Sequence, residues 1–278
     1  MSKTVKTVEV TWAEVRQRYV DSVRHGKRWS QAQQRRLSGL HAAPYASDSW
    51  EGGSGADTLE WLDNGFYSEE LQATPEIPAR ERVRTGWSEE DGDIDVGRLY
   101  GGYDDFYLEV SPSETKPGLK IIADVWFSAA VGRETINGYG AWLCGLIGSL
   151  ESNGYDLEVD LRLPVNELCE TPSGRRADGA TDVLIHVKRA GELSDFTEWS
   201  AAFAPTALRH LFFTAQGVAA EKLGKKQTAF MASARTARQW GVTYDADTNT
   251  LDITAKMHGG SGFPGETMNA GLESSGLI

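Results

Sequence analysis

The most regular hydrophobic pattern of the chain lies between residues 119 and 163. Residues 119–127 form a near-continuous apolar run, which predicts a strand covered on both faces. Residues 134–152 repeat apolar side chains at helical spacing and stop before Asn153-Gly154, a typical helix end. Residues 156–163 then alternate polar and apolar side chains, as a strand does. Strand, helix and strand in this order predict a βαβ unit with a right-handed crossover.

Further elements on both sides of this unit follow from the same kind of pattern. Thr11 and Glu14 form a capping box, and the short amphipathic helix that follows it ends near Gly26. A later helix carries Leu59 and Leu62 on one side. Other predicted elements are strands at residues 106–110 and 182–188, helices at 30–40 and 195–222, the latter broken at Ala204-Pro205, and a hairpin at 240–257. Together they predict an α/β fold with a mixed, mostly parallel sheet flanked by helices.

Composition divides the chain into three predicted parts. Residues 1–104 are a small, mainly helical N-terminal region, whose end at residues 72–105 is rich in proline, glycine and acids and is typical of an irregular connector. Residues 105–258 hold the α/β domain. Residues 259–278 are rich in glycine and serine and predict a flexible C-terminal tail.

The overall composition excludes several classes of protein. The 278 residues carry a net charge of −12, and 40% of them are hydrophobic, which is enough for a full-size core and argues against a disordered chain. Two cysteines are too few for a disulfide framework or a four-thiolate zinc site. No apolar run reaches the roughly 20 residues of a membrane helix, and the N-terminus lacks a signal-peptide core. We therefore expect a cytoplasmic protein without membrane contact.

Charge is unevenly distributed along the first hundred residues. Residues 1–36 contain nine Lys or Arg against three acids, whereas residues 48–95 contain fourteen acids against three Arg. Such asymmetry is typical of a basic arm that binds nucleic acid or of an acidic docking surface. In the alternative interpretation, the two segments lie near each other in the fold and partly neutralise each other.

The sequence contains no complete motif for cofactor binding or catalysis. Residues 260–265 fit G-x-G-x-x-G, but Pro264 interrupts the motif and too few residues follow it to complete a dinucleotide-binding unit. Residues 217–226 lack the glycine spacing and the hydroxyl ligand of a phosphate loop. The five histidines form no metal-binding pair on one helix, and Cys144 lies in an apolar helical segment, typical of a small buried hydrophobe. We expect no cofactor.

Asp124 is the most informative single residue. It lies near the end of a predicted strand, and open α/β sheets bind ligands beyond the carboxyl ends of their strands. Asp124 and Ser128 match the D-x-S-x-S loop in which von Willebrand factor A-type domains hold a hard cation. Trp126 replaces the first serine of that loop and offers no oxygen ligand, so we expect no bound metal. The alternative to a residual cation site is a buried carboxylate that accepts hydrogen bonds from the following loop.

Three segments resemble parts of a family of uncharacterised bacteriophage-encoded proteins. They are SWEGGSGADTLEWLDNGFYSEE, KIIADVWFSAAVGRETINGYGAWLCGLIGSLESNGYDLEVDL and DVLIHVKRAGELSDFTEWSAAFAPTALRHLFF. The resemblance covers roughly residues 50–215. It implies a degenerate von Willebrand A-like α/β domain and a phage protein that acts in the host cytoplasm. It brings no catalytic residue to this chain.

The first functional hypothesis is a non-enzymatic interaction or assembly protein. Tryptophan is a favoured interface anchor, and Trp50 and Trp87 lie beside glycine-rich or acidic segments. Asp124, Trp126 and Ser128 complete the candidate interaction residues. The expected partner is a protein, such as an AAA+ ATPase, because von Willebrand A-like domains often resemble adaptors to such motors, or it is a second copy of this chain.

Two alternative hypotheses remain open. One is an enzyme with a site assembled around Asp124, Ser128 and His186. The other is a nucleic-acid-binding accessory protein that acts through the basic residues 1–36. The net negative charge of the chain disfavours general affinity for nucleic acid, although it leaves a local basic arm open.

Overall fold

The computed structural model describes most of the predicted α/β domain and parts of the N-terminal region. The described residues are 5–25, 55–64, 86–88, 93–94, 107–109, 118–125, 127, 131, 133–165, 181–192, 202, 207–224, 239–255 and 262–276. The predicted helix at residues 30–40, Trp50, Trp126 and Ser128 lie outside them.

Nine strands and five helices are formed by the described residues. The strands are β1 (Lys6–Thr11), β2 (Gly86–Ser88), β3 (Asp93–Ile94), β4 (Tyr107–Glu109), β5 (Leu119–Asp124), β6 (Leu157–Val165), β7 (Thr181–Lys188), β8 (Gly241–Asp245) and β9 (Thr250–Thr254). The helices are α1 (Trp12–His25), α2 (Gly55–Asn64), α3 (Arg133–Ser152), α4 (Ala207–Lys222) and α5 (Gly265–Ser275). Among these helices, none combines the length and the apolar character that crossing a membrane requires.

Six strands form one mixed sheet in the order β1-β7-β6-β5-β9-β8. The pairs β1–β7, β5–β6 and β5–β9 are parallel, whereas β6–β7 and β8–β9 are antiparallel. The mixed α/β class is therefore confirmed, and so are the adjacent parallel strands β5 and β6 on either side of α3 and the hairpin β8–β9. A separate sheet has the order β2-β4-β3. Its strands β2 and β3 lie within residues 72–105, which the composition predicts to be mostly irregular.

All five helices pack on the same face of the six-stranded sheet. Side chains alternate between the two faces of a strand, and a single buried cluster joins the helices to one of the two alternating sets. The strand members of this cluster are Val8, Val10, Leu119, Ile121, Ala123, Leu157, Val159, Leu161, Leu163, Val183, Ile185, Leu251 and Ile253. On the opposite face of β5, Asp124 is buried, and Lys120 and Ile122 are half-buried.

Local side-chain chemistry sets the ends of α1 and α3 as the sequence predicts. The Thr11 amide donates to Glu14 Oε2 (2.8 Å) and the Glu14 amide donates to Thr11 Oγ1 (3.2 Å), which is the predicted capping box. At the end of α3, Gly154 has φ of +80°. Its amide donates to the Glu151 carbonyl (2.8 Å) and the next amide donates to the Leu150 carbonyl (3.0 Å), a Schellman ending that favours glycine.

Residues 5–25 belong to the same sheet and core as the rest of the α/β domain, which differs from the predicted separate region 1–104. β1 pairs with β7, and α1 buries Val15 and Tyr19 in the common core. Arg16 on α1 forms an ion pair of 3.1 Å with Asp63 on α2. This pair joins the basic and the acidic segments, as expected if the two partly neutralise each other.

The C-terminal segment also differs from its prediction. Residues 265–275 form α5 instead of a flexible tail, and Met268 and Leu272 on α5 are fully buried. The composition was misleading because small residues allow a close approach: a side chain at Gly271 would lie 3.1 Å from Cβ of Val242 on β8. Trp142 on α3 also donates a 2.8 Å hydrogen bond to Asn269. The segment thus completes the helical layer over the β8 edge of the sheet.

We expect Leu272→Ala to lower the free energy of unfolding by about 2–5 kcal/mol, because it removes a fully buried side chain and leaves a cavity. Urea unfolding followed by circular dichroism measures this loss. Glu273→Ala, at an exposed neighbouring position, serves as the control and should change the free energy by less than about 0.5 kcal/mol. Equal, small effects of both substitutions would show that α5 contributes little to the fold.

Candidate functional site

The face of the sheet opposite the helices carries a row of charged side chains. Strand alternation and the pairing register place these side chains on one face of five neighbouring strands. We call this set the charged face. Its members are Glu9, Lys120, Asp124, Glu158, Asp160, Arg162, Asp182, His186 and Asp252. Six carboxylates thus share the face with one lysine, one arginine and one histidine.

Arg162 connects three adjacent strands of the charged face. Its Nε donates to Oδ1 of Asp124 on β5 (2.5 Å), and its two terminal nitrogens donate to both carboxylate oxygens of Asp252 on β9 (2.6 and 2.8 Å). The planar fork of the guanidinium suits this two-pronged contact, which a lysine does not reproduce. The guanidinium therefore reaches across the whole width of β5, and it lies where the strand ends.

Asp124 is a buried carboxylate, as one of the two sequence interpretations predicts. Only 3% of its side chain is exposed. Burial raises its pKa, although the Arg162 guanidinium and a hydrogen bond from the Ala255 amide act in the opposite direction. These partners come from β6 and from the end of β9. The contacts with Asp124 and Asp252 also raise the pKa of Arg162, so its charge is fixed.

A second cluster on the charged face surrounds Asp160 on β6. The Asp160 side chain is completely buried, and its Oδ1 lies 2.5 Å from Nδ1 of His186 on β7. Lys120 Nζ lies 2.8 Å from Asp160 Oδ2 and also pairs with Glu158. Burial alone would lower the pKa of Lys120, but its contacts with the two carboxylates outweigh burial and raise that pKa. The other ring nitrogen of His186 faces Glu9 Oε2 at 3.5 Å.

A β-bulge between β6 and β7 determines which side chains of β7 join this cluster. His186 lies opposite Asp160, but the register then shifts and Lys188 lies opposite Val159. Without the shift, Lys188 would lie opposite Glu158 on the charged face. It instead points into the core side, where its Nζ donates to the Leu157 carbonyl (2.9 Å) and lies 3.4 Å from Glu151. The bulge thus removes one positive charge from the charged face.

The cluster has two chemical capabilities. A carboxylate that holds one nitrogen of an imidazole fixes the orientation of the ring, as in sites that use histidine as a base or as a metal ligand. One ligand atom each from Glu158, Asp160 and His186 lie within 4.8 Å of one another, the spacing of a three-residue metal site. Cys144 is not a nucleophile candidate here, because burial raises its pKa to about 12.

The structure describes three of the site residues predicted from the sequence, Trp87, Asp124 and His186. Asp124 and His186 lie on the same face of the sheet, but each contacts its own cluster. Trp87 lies in β2, opposite Leu108 of β4, and thus belongs to the separate three-stranded sheet. Sequence reasoning missed Asp160 and Arg162, although every polar position of the strand DLEVDLRL is charged. That regular charge on one face of a strand was the available signal.

Comparison with known proteins identifies the family but no activity. Residues 5–256 match the domain of unknown function DUF7192. Because the match covers most of the chain, this protein belongs to that family. No curated protein and no solved structure shows a significant match.

We expect Arg162→Leu to lower the free energy of unfolding by about 3–5 kcal/mol at neutral pH, because it leaves the buried Asp124 without its counter-charge. The double variant Arg162→Leu/Asp124→Asn should recover part of the loss. Urea unfolding of both variants measures the effect. Arg16→Leu is the control, since exposed ion pairs such as Arg16–Asp63 contribute only about 0–1 kcal/mol. A loss at Arg162 no larger than that of the control would contradict the assigned role.

The raised pKa of Asp124 predicts a pH dependence of stability. The folded state holds the Asp124 proton more tightly than the unfolded state, whose pKa is close to 3.8. The contribution of Asp124 to stability is therefore largest below that pH and decreases as pH rises through the raised folded-state pKa. We expect the wild type to lose stability relative to Asp124→Asn over this range. Urea unfolding of both proteins at several pH values measures the difference in their free energies of unfolding. A rise in wild-type stability relative to Asp124→Asn with increasing pH would contradict the prediction.

Proposed function

We propose that this protein is a non-enzymatic interaction module whose charged face docks a basic segment of a protein partner. The observation that carries the proposal is the excess of carboxylates on one face of the sheet, six against two permanent cations and His186. The opposite face is covered by the helices. On the other face, Glu9 and Glu158 reach solvent, and we place the partner there.

The exposure of the individual carboxylates supports this docking surface. Glu9 is 65% exposed at its side chain. Glu158 and Asp252 are 38% and 35% exposed and pair with Lys120 and Arg162, whereas Asp124 and Asp160 are buried. Exposed carboxylates attract a basic partner over a distance and select against an acidic one. The buried pair holds the strands that carry them in fixed positions. A preformed surface of this kind loses little conformational entropy on binding.

The proposal extends the resemblance to phage-encoded proteins with a von Willebrand A-like domain. In that context the partner would be another protein, such as an AAA+ ATPase, or a second copy of this chain, and the site of action would be the host cytoplasm. Arg162 pairs with Asp124, so a cation at this position would have to displace the guanidinium. Trp50 and Trp87 would add apolar anchors to such an interface.

The alternative of nucleic-acid binding receives less support from the described part of the basic segment. Arg16 pairs with Asp63, and Arg18 pairs with Glu221. Both guanidinium groups are therefore already engaged with carboxylates of the same chain. An enzyme centred on His186 has one favourable observation, its contact with the buried Asp160. An enzyme centred on His186 would not require Glu9 or Asp252 to bind a basic peptide.

The test uses a fluorescently labelled basic decapeptide of alternating Lys and Ser, with fluorescence anisotropy as the measurement. We expect Glu9→Gln/Glu158→Gln to weaken binding of this peptide roughly threefold to tenfold, since each exposed ion pair contributes about 0.2–1 kcal/mol. Added salt should weaken binding to the wild type, because exposed charges are screened.

The matched control is Glu266→Gln/Glu273→Gln on α5, which removes the same charge from exposed positions of the helical layer. It should bind the peptide almost as well as the wild type does. Equal weakening by the two double variants would mean that only net charge matters, and the proposal would fail. If light scattering finds a wild-type dimer that Glu9→Gln/Glu158→Gln dissociates, the docked segment belongs to a second copy of the chain.

A further inference from the structure

We infer that Glu158, Asp160 and His186 bind a divalent first-row transition-metal ion, which exchanges with the ammonium group of Lys120. We call these three residues the metal triad. One ligand atom from each of them lies within 4.8 Å of the other two, and they come from the neighbouring strands β6 and β7. The inference does not rest on the proposed docking function, since a bound ion and a docked peptide would use this face for different reasons.

Asp160 is the centre of the inferred site. Its side chain is completely buried, which is costly for a carboxylate unless a cation or hydrogen-bond donors compensate it. Oδ1 contacts His186, but Oδ2 makes no hydrogen bond among the described residues. Lys120 Nζ lies 2.8 Å from Oδ2 and forms an ion pair with it. A metal ion that displaces this ammonium group would take over its contact with the buried oxygen.

Lys120 has the properties of an exchangeable occupant. Its side chain is 31% exposed and contacts both Glu158 and Asp160, so its ammonium group occupies the space that a bound ion would share. A flexible lysine can move towards solvent when an ion arrives, and a cation then still compensates Asp160. The bulge in β7 supports this exchange, because it turns Lys188 to the core side and leaves Lys120 as the lysine contacting the triad among the described residues.

The donor set indicates the class of ion. Imidazole favours zinc, iron, nickel and copper, whereas two carboxylates extend the range to manganese. Magnesium and calcium prefer sites made entirely of oxygen ligands. Three protein ligands leave further coordination positions open, and the partial exposure of Glu158 and His186 directs them towards solvent. The inferred ion is therefore a divalent transition metal and not magnesium or calcium.

Calorimetric titration of the full chain with zinc and manganese chloride tests the inference, and the visible absorption of bound cobalt reports the ligand geometry. We expect one ion per chain, and binding at least about tenfold weaker in both His186→Gln and Glu158→Gln. These variants are preferred because Asp160 is buried and its substitution risks the fold. Asp252→Asn, which removes a carboxylate of the charged face outside the triad, is the matched control and should leave affinity unchanged.

Lys120→Met tests the exchange itself. Removing the competing ammonium group should tighten zinc binding severalfold, which distinguishes exchange from a site that needs the lysine. Three results would overturn the inference: no binding of zinc, manganese or cobalt at millimolar concentration, binding that His186→Gln leaves unchanged, or weaker binding in Lys120→Met. Circular dichroism of each variant confirms that it is folded before the titration.

Discussion

The structure depends on the compensation of carboxylates that are buried on the side of the sheet opposite the helices. Arg162 meets this requirement at Asp124, also pairs with the partly exposed Asp252, and thereby connects β6, β5 and β9. A buried carboxylate without such a partner would cost several kcal/mol or remain protonated. The strands at the centre of the sheet are therefore held by apolar packing on one face and by charge compensation on the other.

The same strands carry apolar side chains on one face and charged side chains on the other, because successive side chains alternate between the faces. On β6, Val159 and Leu161 belong to the apolar core, while Asp160 and Arg162 between and beside them belong to the charged face. The bulge beside Val159 is what keeps Lys188 out of the charged face, and it also gives that lysine carbonyl and carboxylate partners near the end of α3. Core packing and the charge balance of the proposed sites are thus set by one local irregularity.

The sequence was most informative where structure is determined by neighbouring residues. The periodicity of β5, α3 and β6 is local, and the Schellman ending at Gly154 requires only adjacent backbone groups. The partners of Asp124 were not predictable in the same way, because Arg162 lies 38 residues away and strand register is not encoded by any single segment. Glycine and serine content also concealed α5, whose helix is stabilised by packing of Met268 against the core and not by composition.

The span of Arg162 over three strands has a consequence for the variation of this family. A core position such as Leu157 can exchange volume with several neighbours, so changes there are expected to spread over many small adjustments. Arg162 has two specific partners, and its loss leaves both carboxylates without their counter-charge. Relatives that replace this arginine are therefore expected to have changed Asp124 and Asp252 together. Residues 124, 162 and 252 would then vary as one coupled set, whereas the apolar positions that face the helices vary through many small adjustments.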